Sequence, residues 1–174
     1  PHFGCWEITG RVLSIDTPVT FLYKPLRKAS QEALLIKNRQ KQSLSMATAD
    51  KKGVIKLQRA IKNKELIGIL PDQDPGEEGG VLAPFFGTNA RSMTLLAKLA
   101  RKNNAKVLLT WALRLPKGAG FEIHLEPVNI LSEQGTVKED VALMNQVIED
   151  LVKTQPEQYL WNYKRFKSVV DYSS

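Results

Sequence analysis

The stretch His2-Phe3-Gly4-Cys5-Trp6-Glu7 sets an imidazole and a carboxylate at an H-x-x-x-x-E spacing. Where a helix begins, a carboxylate five residues away can reach the ring, fix its tautomer and stabilise the imidazolium formed when it takes a proton. Such a pair is equipped to activate a hydroxyl as a nucleophile. Spacing alone leaves a plainer reading open, an exposed histidine near a chain end beside a solvated glutamate. Cys5, between the two, adds a thiol as a rival nucleophile. A second cluster, Asp72-Gln73-Asp74, follows the apolar run Leu66-Ile67-Gly68-Ile69-Leu70 and Pro71, and so falls at the carboxyl end of an expected strand, where open α/β sheets carry their sites. These acids can shape the loop or contact a substrate hydroxyl. With His2 and Glu7 they also offer a set of nitrogen and oxygen ligands, but no H-x-x-x-H or paired-histidine arrangement supports a metal. His124 alternates with Ile123 and Leu125 in a strand pattern and reads as a structural or surface imidazole.

The elements that must position these groups follow from periodicity. Residues 3–15 are mostly helical in pattern, and Thr17-Pro18 breaks them before the β-rich run Val19-Thr20-Phe21-Leu22-Tyr23. Ser30 can cap a helix to about Asn38. A basic amphipathic helix is expected over about 53–64, with Val54, Leu57 and Ile61 on one face and Lys52, Lys56 and Arg59 on another. The loop from Asp72 to Gly80 is rich in acids, Pro and Gly. A helix at about 92–102 precedes two strands, 107–115 and 121–127, joined as a hairpin through Pro116-Lys117-Gly118-Ala119-Gly120. A last helix over about 138–153 places Val141, Met144, Ile148 and Leu151 inward. Strands alternating with helices predict an α/β fold: a mixed, largely parallel central sheet flanked by helices.

With 174 residues, of which 43% are hydrophobic, the chain can bury one sizeable core, and the expectation is a single domain over 1–174. A net charge of +7 favours anionic partners. One cysteine excludes an intramolecular disulfide and a multi-cysteine metal site. No segment approaches the roughly 18 consecutive apolar residues of a membrane span. The chain begins Pro1-His2, without methionine, and runs straight into a motif, so an upstream segment is expected. A phosphate-binding G-x-x-x-x-G-K-[ST] loop, a Rossmann fingerprint, and RNP, KH or helix-turn-helix signatures are all missing, which argues against nucleotide and nucleic-acid binding.

His2-Phe3-Gly4-Cys5-Trp6-Glu7-Ile8-Thr9-Gly10 resembles the H-F-G-N-W-E-L-A-G block of the lauroyl and myristoyl acyltransferases of bacterial lipid A biosynthesis. Tyr23-Lys24-Pro25, Leu70-Pro71-Asp72-Gln73-Asp74, Pro84-Phe85-Phe86-Gly87 and Pro156-Glu157-Gln158-Tyr159-Leu160-Trp161 follow in the order that family has, over almost the whole chain. Two departures stand out: Cys5 where Asn is usual, and Tyr163 where a His often precedes the basic pair.

The resemblance implies a glycerolipid acyltransferase-like catalytic domain, truncated at its N-terminus. Its reaction would be transfer of a fatty acyl chain from an acyl carrier protein thioester to a hydroxyl of a lipid A precursor. His2 would be the general base, Glu7 its orienting carboxylate, and Arg39 an active-site guanidinium for a lipid phosphate or the developing oxyanion. From their place after a strand, Asp72, Gln73 and Asp74 are candidates to contact substrate; Phe85 and Phe86 could form an apolar wall for the acyl chain, each buried methylene contributing about 0.8 kcal/mol, or, with Val81 and Leu82, simply belong to the core. No covalent acyl-enzyme, cofactor or metal is implied. The expected location is the cytoplasmic face of the bacterial inner membrane, against an anionic surface, anchored by a segment outside this chain. There the run 159–167, which interleaves aromatics with Lys164, Arg165 and Lys167, would meet lipid headgroups. A different glycolipid acceptor, such as a mannosylated phosphatidylinositol, shares the same motifs; a non-catalytic basic binding module is the rival from another class.

Overall fold

Asp50 accepts a hydrogen bond from the Gly53 amide at 2.8 Å and so starts a helix at the residue where the basic periodicity begins. The structure, a computed structural model, describes residues 1–25, 44–133 and 135–172. It divides into two compact units, residues 6–69 and residues 1–5 with 70–174. The expected helix at 30–38 and Arg39 lie outside the described residues.

In the first unit α1 (Trp6–Leu13) carries Glu7 in its first turn and Arg11 in its last, each on the favourable end of the helix dipole. Strands β1 (Val19–Tyr23), β2 (Leu44–Thr48) and β3 (Leu66–Gly68) form a parallel sheet in the order β2-β1-β3, with Val19 in register with both Leu44 and Leu66. Parallel neighbours need a crossover, and α2 (Lys51–Lys62) supplies the helix between β2 and β3. Gly53 lets α2 approach the sheet, because a Cβ there would lie 1.8 Å from the Thr48 carbonyl oxygen. Leu57 and Ala60 are buried, while Lys52, Lys56 and Arg59 face outward. The Lys56 ammonium donates to the Met46 carbonyl at 2.7 Å, so part of that basic face is tied to its own sheet.

In the second unit β4 (Gly80–Phe85) and β5 (Thr88–Met93) form an antiparallel hairpin that periodicity did not predict. Its two-residue turn, Phe86-Gly87, has φ +48° and +74°, the pair of positive values that a type I′ turn demands. A helix α3 (Leu95–Asn103) follows, then the expected hairpin of β6 (Val107–Arg114) and β7 (Phe121–Val128). Finally α4 (Val137–Thr154) starts on an N-cap: the Thr136 hydroxyl accepts from the Glu139 amide and itself donates to the Glu139 carboxylate. Val141, Met144, Ile148 and Leu151 are all buried, as the spacing predicts, and pack with Phe3, Phe85 and Trp111 in one core. A bidentate pair from Arg101 on α3 to Asp140 on α4, at 2.8 and 2.6 Å, ties those helices together. The class is α/β, with the parallel strands in one sheet and each hairpin forming a two-stranded sheet of its own.

Candidate functional site

The short run from His2 to Cys5 is held by the larger unit from both sides. Phe3, fully buried, bridges to Tyr159, and Gly4 bridges to Ala112 of β6. The Gly4 amide donates to the Gln158 carbonyl at 2.9 Å, the Cys5 amide to the Ala112 carbonyl at 2.8 Å, and the Leu160 amide to the His2 carbonyl at 3.2 Å. Gly4 has φ +58°, and a Cβ on it would fall 2.0 Å from the Ala112 oxygen, so only glycine fits. Backbone pairing thus fixes where the His2 side chain starts.

Asp72 fixes where it points. The His2 amide donates to Asp72 Oδ2 at 2.8 Å, and His2 Nδ1 lies 2.9 Å from Oδ1. A carboxylate on Nδ1 keeps the proton there and leaves Nε2 with its lone pair. Gln73 Nε2 sits 3.4 Å from that Nε2. The His2 side chain is 11% exposed against 2% for Asp72, so the imidazole reaches the surface and its partner does not. Burial works against ionisation of Asp72, but the hydrogen bonds from the His2 side chain and amide oppose it, and the carboxyl is held well below the usual range. Burial first, then the Asp72 charge, push the Tyr159 phenol above its ordinary value, so it stays protonated.

Asp74 is spent on the chain itself. Its carboxylate accepts from the Gly76 amide at 2.8 Å and from the Ser168 hydroxyl, and its own amide donates to Tyr163 Oη at 2.9 Å. These bonds, Ser168 foremost, overcome partial burial and lower its pKa. Phe85 is 1% exposed and belongs to the core. Phe86 is partly exposed, with its amide donating to Glu149 at 2.8 Å and its ring 4.9 Å from Phe85 and 5.8 Å from Trp161. Glu7 lies in α1, in the other unit.

The reading of 159–167 as a lipid-facing run needs one correction. Arg165 is 4% exposed, donates to the Arg91 carbonyl at 2.7 Å and to Ser92 Oγ at 2.5 Å, and lies 5.0 Å from the Phe85 ring centroid. A guanidinium with those partners is a packing element, since moving it to solvent would break both bonds. Lys164 and Trp161 do stay exposed. Sequence reasoning missed Tyr159, Tyr163 and Ser168 as partners of the acidic cluster. His124 stacks on Trp111 at 4.6 Å and 3°, the structural imidazole that its strand pattern suggests. Cys5 is a free thiol of intermediate exposure. Among the described residues no group of three or more His, Cys, Asp or Glu could hold a metal, and no helix is long and apolar enough to cross a membrane.

An imidazole at the surface with a buried carboxylate on its Nδ1 is equipped for general acid–base chemistry. Residues 1–168 match the family described as bacterial lipid A biosynthesis acyltransferase. The chain belongs to that family. It is 28% identical over 169 residues to the lipid A biosynthesis palmitoleoyltransferase of Escherichia coli (strain K12), covering 96% of this chain and 54% of that one. Identity to the lauroyltransferase of the same strain is 30%, with the same coverage. A lipid A biosynthesis acyltransferase of Haemophilus influenzae is 27% identical over 98% of this chain and 55% of its own. The chain therefore spans about half the length of the curated relatives it matches.

Proposed function

We propose that this chain is the acid–base part of an enzyme that moves a fatty acyl group from an acyl carrier protein thioester to a hydroxyl of a lipid A precursor. The proposed setting is the cytoplasmic face of the bacterial inner membrane, and both units are taken as parts of one catalytic domain. The observation that carries the reading is the His2–Asp72 pair, which leaves Nε2 as the basic atom. In the proposed step Nε2 takes the proton of the acceptor hydroxyl as its oxygen attacks the thioester carbonyl. The C–S bond then breaks, the proton passes from His2 to the departing sulfur, and the ring returns to its starting state. Asp72 would stabilise the imidazolium in between, an orienting role in place of the substrate contact expected for it. Gln73, beside Nε2, becomes the candidate for contact with the acceptor hydroxyl.

Of the two phenylalanines, Phe86 is the better candidate for the acyl wall, because Phe85 is fully committed to the core. The catalytic assignment of Glu7 rests on its spacing from His2, and that of Arg39 on the family resemblance. The reaction class can be tested by incubating the full-length protein with acyl carrier proteins bearing chains of several lengths and a Kdo-bearing lipid A precursor. The expected result is a lipid heavier by one acyl group on mass spectrometry. A precursor recovered unchanged with every donor would overturn the proposal.

A further inference from the structure

One C-terminal segment touches both halves of the His2–Asp72 site. At its start, Gln158 and Leu160 exchange backbone hydrogen bonds with Gly4 and His2. Further on, Tyr163 Oη accepts from the Asp74 amide at 2.9 Å, and the Ser168 hydroxyl donates to the Asp74 carboxylate. Asp74 is two residues from Asp72 and adjacent to Gln73, so the segment holds the imidazole by its backbone and the turn bearing its partners by side chains. Without Tyr163 and Ser168, the described hydrogen bonds of Asp74 reduce to the one with Gly76, two residues on, which closes the turn, and only longer-range attraction to Lys167 and Arg91 reaches it from elsewhere.

We propose that Tyr163 and Ser168 are positioning residues: acting through Asp74, they clamp the 72–74 turn so that Asp72 and Gln73 stay aligned on the two ring nitrogens of His2. This proposal rests on the reading of His2 as the base and adds to the machinery that aligns it two residues that lie 89 and 94 positions beyond Asp74 in sequence. The logic is that of preorganisation. An Nδ1 bond of 2.9 Å between an 11% exposed ring and a buried carboxylate selects one tautomer only while the carboxylate is held still. Releasing the turn lets Asp72 drift and the ring populate the tautomer with its proton on Nε2, which cannot accept a proton there.

The test uses full-length protein with Tyr163→Phe and Ser168→Ala combined, and Ser168→Ala and Ser168→Thr singly. For the double variant kcat should fall about 10- to 100-fold, while KM for donor and acceptor stays within about 2-fold, as for an interaction that acts on the step and not on binding. In ¹⁵N-histidine spectra the His2 ring signals, assigned by their loss in His2→Gln, should move from the pattern of a single Nδ1–H tautomer toward an averaged one. Ser168→Thr, which keeps the hydroxyl, should restore both readouts. Should the double variant fail to fold, Ser168→Ala alone must show the same spectral shift to a smaller extent. Unchanged kcat in the folded double variant, or a fall in kcat with the His2 spectrum unmoved, would overturn the clamp. Full turnover in a His2→Ala variant would instead sink the base assignment, and the spectra would still report on the clamp.

Discussion

Gly4 carries more of the site's geometry than its size suggests. Its missing side chain is what allows residues 3–5 to lie against β6, with the Cys5 amide on the Ala112 carbonyl. Gly4→Ala would force a left-handed backbone onto an L-residue and drive a methyl into that oxygen. The strained conformation alone costs about 1–3 kcal/mol, and a shift of about 1 Å at the neighbouring His2 is enough to cost up to about 100-fold in turnover. Denaturant melts and steady-state kinetics on the same variant should show both losses together. Cys5 presents the opposite case. Its amide is used and its thiol has no part in the proposed chemistry, so Cys5→Asn should keep kcat within a few-fold of the starting protein. Loss of turnover with a trapped acyl adduct at Cys5 in the unmodified protein would move the nucleophile to the thiol.

At the scale of elements, α4 supports the hairpin that carries Phe85 and Phe86. Glu149 caps the Phe86 amide, and Asn145 donates to the Pro84 carbonyl at 2.7 Å. Ile148, 2% exposed, lies on the same helix and belongs to the core with Phe85. Ile148→Ala should destabilise the protein by about 2–5 kcal/mol through the cavity it leaves, read as a fall in the denaturant midpoint at constant slope. That helix was legible in the sequence because its apolar residues recur at helical spacing from Val141 to Leu151, about three turns. The β6–β7 hairpin was legible through its Gly-rich turn. The β4–β5 hairpin was not: Pro84 interrupts its first strand, β5 is largely polar, and its turn is Phe86-Gly87 where Asn-Gly would be the usual signal. Strand β2, Leu-Ser-Met-Ala-Thr, has too little β-branched or aromatic content to stand out. The site was legible in its members but not in its pairing: His2 was evident from its motif and Asp72 from its place after an apolar strand, yet no local pattern marks which carboxylate meets Nδ1 from 70 residues away.

Across the whole molecule, a +7 balance favours docking to anionic surfaces, and the structure sorts which cations are available for it. Lys56 is bonded to Met46 and Arg165 is buried, whereas Arg59 and Lys164 are exposed. Arg59→Glu with Lys164→Glu should raise KM for a lipid or carrier-protein substrate and weaken binding to anionic vesicles as salt rises, since exposed charges act over only about 8 Å at physiological ionic strength. Turnover at saturation should hardly change. If KM, vesicle binding and salt sensitivity all stay as they were, the basic surface has no docking role. The central claim concerns the imidazole and its buried carboxylate, and the turnover number of Asp72→Asn in the full-length protein tests it most directly. An asparagine amide can donate to Nδ1, which moves the ring proton to Nε2 and removes the base while keeping the shape of the pair. The account predicts a fall in kcat of about 10²–10⁴-fold in a folded protein. A folded Asp72→Asn variant with near-normal kcat would contradict it.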